Sequence, residues 1–320
     1  MSKSLSKSTC IALGGALVAV VGTAIVLVMF LGGGNAVPPL DAPPEAANKP
    51  VKGSLLLTAK EAPQVPEVLT VYRLEQIAKN RKEIEELAKE FDLVQPIKLD
   101  ELGAGSRSSG VEHEEFDNYY AREGDPNIGR IFHYYFRTGN YEFWIGSKYG
   151  EENPDLPTVE EAGALAMHAL EERGLLPDEA FVSTIGGPQA ETIIDDQYRK
   201  FLLQRDVEIS REVDGRTIVG PGMRIMVSLG TDGELIGVDS TMRNLVPYKK
   251  FEVKSLEEAI EDAEKGNDTM NLHPDVENPE VSRVELIYYA DPSKTTNQFL
   301  QPVYCLSGPE TCIYVPAIKQ

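Results

Sequence analysis

Apolar and polar positions follow two periods along this chain, preceded by one stretch with no period at all. From Cys10 to Leu31 the sequence is uncharged and apolar. As a helix that run spans roughly 33 Å, the thickness of a bilayer's hydrocarbon core. A stretch rich in glycine and proline follows, opening Gly32-Gly33-Gly34 and continuing with Pro38, Pro39, Pro43, Pro44 and Pro50. Proline at that density suppresses helix and sheet and stiffens the backbone towards polyproline II. Val71, Leu74, Ile77, Ala78, Ile84, Leu87, Ala88 and Phe91 then recur at helical spacing with Lys, Arg and Glu between them. That pattern predicts one amphipathic helix of about six turns. Residues 106–125 are polar and glycine-containing and predict a loop.

Further on, the period changes to two. Ile131–Phe136 and Tyr141–Ile145 are aromatic and β-branched runs flanking Arg137-Thr138-Gly139-Asn140, a hairpin signal. Thr158 and Glu161 form a capping box for a helix that keeps Ala162, Leu165, Ala166, Ala169 and Leu170 on one face and stops at Gly174. The order recurs. Phe201–Val213 predicts a long strand ending at the Asp214-Gly215 turn, and Met223–Leu229 and Leu235–Met242 predict a second hairpin. Ser255 and Glu258 then cap a helix ending at Gly266. Val281–Ala290, Gln301–Leu306 and Cys312–Ala317 close the chain as three strand-like runs.

Composition narrows the functional classes. The chain is 42% hydrophobic and 26% charged, ordinary globular values that allow a core. Its net charge of −20 repels phosphate backbones, so no nucleic-acid partner is expected. Lys3 and Lys7 precede the apolar run and no acid falls within it, so the short N-terminus is expected in the cytoplasm and everything after the run outside. Gly34-Asn35-Ala36 would suit cleavage as a signal peptide, but signal-peptide apolar cores run about 7–15 residues, which favours a permanent anchor.

Candidate chemistry is sparse. The four histidines make no His-Glu-x-x-His pair, and neither a nucleophile elbow nor a glycine-rich phosphate loop occurs. Glu112-His113-Glu114-Glu115-Phe116-Asp117 is the densest polar cluster; its composition would suit a cation, but solvated loop charge explains it in so acidic a chain. No catalytic, cofactor-binding or metal-ligating residues are assigned. Cys305 and Cys312 bracket a turn at Ser307–Glu310 that would set them directly opposite on neighbouring strands, within disulfide reach. Tyr134, Tyr135, Tyr141, Phe143 and Trp144 form a candidate ligand or interaction surface, although alternation sends only one face of that hairpin outward.

Residues 201–265 carry one resemblance. Phe201-Leu202-Leu203, Val213-Asp214-Gly215-Arg216-Thr217-Ile218-Val219-Gly220, Ile225-Met226-Val227, Asp232-Gly233-Glu234-Leu235-Ile236-Gly237-Val238 and Ser255-Leu256-Glu257-Glu258-Ala259 resemble the PepSY and fungalysin/thermolysin-propeptide type of module. Leu300–Tyr304 and Tyr314–Ile318 resemble the endings of related anchored proteins, including YycH/YycI-like regulators, which restrain a sensor kinase from outside the membrane. The resemblance implies a non-catalytic protein that binds or restrains another envelope protein, and it carries over no catalytic residue.

The expectation is thus an α+β chain with five parts. These are a cytoplasmic tail at 1–9, a transmembrane helix at 10–32 contacting the lipid bilayer, a linker at 33–66, and two tandem PepSY-like modules at 67–185 and 186–320. Each module is expected as an antiparallel sheet covered by a helix. The expected function is a single-pass, extracytoplasmic protein that regulates an envelope peptidase, sensor or assembly. The alternatives are a cell-wall or small-ligand binder and, behind it, a hydrolase using the 112–117 loop.

Overall fold

A computed structural model describes residues 40, 46–75, 77, 79–93, 118–125, 128–136, 138–149, 154–194, 197–291 and 299–319. The expected transmembrane helix at 10–32, the start of the linker and the 112–117 cluster lie outside these residues. Among the described residues no helix is long and apolar enough to cross a membrane.

The fold is α+β, mostly sheet with three helices among the described residues. The strands are β1 (Val68–Glu75), β2 (Asn118–Glu123), β3 (Arg130–Tyr135), β4 (Tyr141–Ile145), β5 (Ala180–Gly186), β6 (Gln189–Ile194) and β7 (Gln197–Leu202). They continue as β8 (Arg205–Val213), β9 (Arg216–Val219), β10 (Ile225–Leu229), β11 (Leu235–Ser240) and β12 (Asn244–Glu252). The last three are β13 (Arg283–Ala290), β14 (Phe299–Gly308) and β15 (Thr311–Pro316). Helices α1 (Arg81–Lys89), α2 (Val159–Glu172) and α3 (Leu256–Lys265) all begin with a closed capping box, on Asn80, Thr158 and Ser255. One continuous sheet runs in the order β12-β1-β14-β13-β9-β8-β10-β11-β4-β3-β2, with β15 added to β14 and β5 to β8.

Three expected elements differ. The six-turn helix is a strand followed by a short helix: β1 pairs along its length with β12, and α1 starts only at Asn80. The β-branched Val71 and the aromatic Tyr72 suit a pleated surface, and the cross-strand ladder overrides the helical spacing. The strand expected at Phe201–Val213 breaks at Leu203-Gln204, where β7 leaves to pair with β6 and β8 starts against β5 and β10. The end of the expected loop, Asn118–Glu123, is the edge strand β2.

The pairing does not divide at 185/186. Strand β1 lies between β12 and β14, far along the chain, and β5 ends at Gly186. Nor does the described part of the proline-rich stretch run free. Ala46 and Val51 are buried, Val51 N–H donates to Ala263 O at 3.3 Å, and Leu56–Leu57 pair in parallel with Glu280–Val281.

The disulfide is corrected too, because both cysteines are free thiols. The turn is two residues, Pro309-Glu310, between paired Gly308 and Thr311, so Cys312 faces Ser307 and Cys305 faces Tyr314. A two-residue diagonal offset leaves their Cα atoms about 7–8 Å apart, past comfortable disulfide geometry. The Cys305 thiol instead hydrogen-bonds Cys312, which favours the Cys312 thiolate and pushes the Cys305 thiol up.

Helices α1 and α2 cover one face of the β2–β3–β4–β11–β10–β8 half, where Phe91, Leu87 and Ile84 meet Phe132 and Phe143, and Leu170 packs with Val207 and Ile209. Helix α3 covers the other half, with Ala259 and Ala263 against Val284, Leu286, Tyr304 and Val315. The halves meet at β9. Arg216 and Thr217 pair with the end of β8 around the Asp214-Gly215 turn, whereas Ile218 and Val219 pair in parallel with Tyr288 and Tyr289. Both turn residues have positive φ (53° and 66°), as a type I′ hairpin requires. Asp214 also accepts hydrogen bonds from Tyr72 at 2.8 Å and Tyr288 at 3.2 Å. Beyond β9 the buried Arg243 donates to Gly222 O and Asp291 O at 3.3 and 3.1 Å.

Two predictions follow from this seam and its tyrosines. Arg243→Met removes charged donors from two buried carbonyls and should lower the unfolding free energy by about 3 kcal/mol, read as an earlier urea midpoint. Burial, chiefly, pushes Tyr72, Tyr141 and Tyr304 up to about 12. The folded state then holds protons that the unfolded chain releases above about pH 10. The tyrosine contribution is intact below that pH and is lost as pH rises towards 12. A urea midpoint unchanged between pH 9 and 12 would contradict this.

Candidate binding face

Alternation along β3 and β4 separates the five aromatic candidates. Tyr134, Tyr141 and Phe143 point into the core: Phe143 stacks on Phe91 at 4.5 Å between ring centroids, and the Tyr134 hydroxyl donates to Ile77 O at 2.8 Å. These three belong to packing beneath α1. Tyr135 and Trp144 turn to the opposite face and stay partly exposed.

That opposite face carries a row fixed by register. Tyr120 lies opposite His133, His133 opposite Glu142, Glu142 opposite Asp239, Asp239 opposite Met226, and Met226 opposite Glu208. Directly opposed residues project to the same side of a sheet, so one rung crosses six strands. The neighbouring rung runs Ile131, Trp144, Gly237, Ser228 and Asp206. The His133 ring stacks on Tyr120 at 3.9 Å between centroids and lies tilted against Tyr135 at 3.8 Å, and the Tyr135 hydroxyl donates to Glu142 at 3.1 Å. Burial and the Glu142 carboxylate together push the Tyr135 phenol well above its ordinary value, so it stays a donor.

Carboxylates dominate this surface. Asp206 accepts from Ser228 at 2.7 Å and from Gln204 at 2.9 Å, while Glu208 pairs with Arg224 at 2.8 Å. Tyr149, carried over the sheet by the turn after β4, lies across Gly237, where any Cβ would meet its hydroxyl. Beside it, Trp144, Tyr149, Met226, Ser228, Glu142 and Asp239 surround an open hollow of about 270 Å³. Among the described residues, no three His, Cys, Asp or Glu side chains converge as a metal site would need. The arrangement can hold a cationic group over aromatic rings, with carboxylates beside it.

No family model matches the chain, and no curated protein matches it. Among the solved structures that are loosely similar, two are described by name. One is an uncharacterized protein from Eubacterium rectale, 9% identical, with 83% of this chain and 88% of that one covered at a TM-score of 0.36. The other is the Bacillus megaterium YpeB C-terminal domain, 11% identical, with 76% and 94% covered, also at 0.36. Likenesses this loose carry no argument about the site, which rests on the chain's own residues.

Sequence reasoning singled out Tyr135 and Trp144 but missed Glu142, Asp239, Asp206, Glu208 and Tyr149. Each lies in or beside a legible strand, and only the register of β4, β11, β10 and β8 brings them together. Gly237→Ala tests the cover. Tyr149 should swing off its glycine at a stability cost under about 1.5 kcal/mol, and emission from Trp144, the chain's single tryptophan, should shift to the red. Unchanged emission would mean that Tyr149 does not shield this face.

Proposed function

We propose that the chain is a non-catalytic ectodomain, tethered by residues 10–32, that binds and regulates another envelope protein through its acidic aromatic face. The observation that carries this reading is the Tyr120–His133–Glu142–Asp239–Met226–Glu208 rung. It presents carboxylates and rings on one side of a sheet whose other side is covered by α1 and α2. Such a face suits a partner surface bearing Arg or Lys, held by charge and by cation–π contact. The uncharged run after Lys3 and Lys7 supports placement of this body outside the membrane.

A second reading, a small-ligand or cell-wall binder, is favoured by the hollow beside Trp144. At about 270 Å³ and open to solvent, it falls below the roughly 300–1,000 Å³ of enclosed ligand sites. The protein-binding reading is therefore preferred.

The test is crosslinking of the full chain in detergent-solubilised membranes, comparing wild type with a Glu142→Gln, Asp239→Asn, Trp144→Ala variant. A crosslinked partner should be captured by wild type and lost at least tenfold in the variant, with raised salt weakening capture. Equal capture by both proteins, or a strictly monomeric wild type, would refute the proposal.

A further inference from the structure

The sheet contains a gap. Strands β9 and β13 run in parallel at Ile218–Tyr288 and Val219–Tyr289, but towards their N-termini they separate. Arg216 and Thr217 follow β8 instead, and Arg283–Ile287 of β13 have no strand on that edge among the described residues. An open cleft of about 850 Å³ lies in the fork. Gly215–Thr217 form one side, Ser282–Ile287 the other, and the segment Thr58–Pro63, which bends at Lys60, adds to the lining.

The β13 edge in this cleft carries outward backbone groups. Pro302 O accepts from Ala317 N–H at 2.9 Å, so Pro302 turns its backbone towards β15. Tyr288, opposite Pro302, must then turn its own N–H and C=O away from β14. By the two-residue period Leu286 and Val284 do the same, and below Tyr288 no strand among the described residues receives them. A strand edge left open in this way is a template for another strand.

Charge marks the occupant. The cleft is lined by Lys60, Arg216 and Arg283 against Glu61 and Glu285, a surplus of one positive charge on a chain of −20. Arg283 is taken by Glu285 at 2.7 Å. Lys60 and Arg216 pair with no carboxylate among the described residues, and Arg216 only donates to Asp214 O at 3.0 Å. The opposite polarity of the Glu142–Asp239 face makes this a separate contact.

We propose that the fork between β9 and β13 receives an extended, acidic segment of a protein partner. The segment adds to the β13 edge as a strand, bonding Val284 and Leu286, with carboxylates towards Lys60 and Arg216. The proposal rests on the protein-binding reading above but on a different surface. Its test uses a defined peptide, so failure here leaves the crosslinking result standing, and the reverse holds too.

The experiment titrates the full chain in detergent with a labelled, blocked eight-residue peptide of alternating Glu and Val, following anisotropy and amide exchange. Binding tighter than about 1 mM is expected, with slowed exchange at Val284 and Leu286. Methylating alternate peptide nitrogens should weaken it at least tenfold, because the added strand loses its donors. Lys60→Glu with Arg216→Glu should do the same; Lys60 is exposed, Arg216 lies at the cleft rim, and thermal melting verifies the fold. The idea is overturned by no binding at 1 mM, by indifference to methylation or charge reversal, or by equal binding of a Lys-Val peptide. It is likewise overturned if the double variant splits a dimer of this chain, since the occupant would then be a second copy.

Discussion

Two residues of β9 hold the sheet together. Ile218 and Val219 are the point at which the half-sheet under α1 and α2 becomes continuous with the half-sheet under α3. So short a parallel contact cannot fix the two halves alone, and neighbouring side chains share the task. At one end Asp214 reaches from the hairpin turn to Tyr72 and Tyr288; at the other Arg243 ties Gly222 to Asp291. Ser210 adds a buried hydrogen bond to Ile218 O at 2.6 Å. Buried Ser210, Arg243 and Asp291 all serve this junction, because an open sheet edge inside a protein must be paired or hydrated.

A change of partner along β14 explains an otherwise awkward proline. Pro302 sits in mid-strand, where a missing N–H ordinarily breaks a ladder. On that edge β14 passes from β1, paired at Phe299–Leu300, to β15, paired from Val303 onward. The proline falls between the two partners, and its carbonyl still receives Ala317. Pro247 is tolerated differently, at a register shift in β12, which among the described residues has a neighbour on one side only.

Local chemistry was legible in the sequence, and long-range pairing was not. The capping boxes at Thr158 and Ser255, the Asp214-Gly215 turn and the β3–β4 hairpin all stand where spacing and turn residues put them, since each is decided within a few neighbours. Strand β1 reads as helix because Val71, Leu74 and Ile77 satisfy a helical period, while its partners on β12 lie far along the chain, from Glu75 opposite Asn244 to Val68 opposite Glu252. The cysteine register failed by the length of a single turn, Pro309-Glu310 in place of four residues. For the binding face, the hairpin aromatics could be sorted into two sides from alternation alone. Which carboxylates share the outward side depends on the order of β4, β11, β10 and β8, which nothing local encodes.

The docked strap from Ala46 to Ala59 has a mechanical consequence. Ala47 bridges to Met270, Asn48 N–H donates to Thr269 O, and Leu56–Leu57 pair with Glu280–Val281, so the strap is fastened at several points in series. A load applied from the N-terminal side would peel these fastenings one after another before it strained the sheet beneath, which makes the strap a mechanical fuse for the folded body.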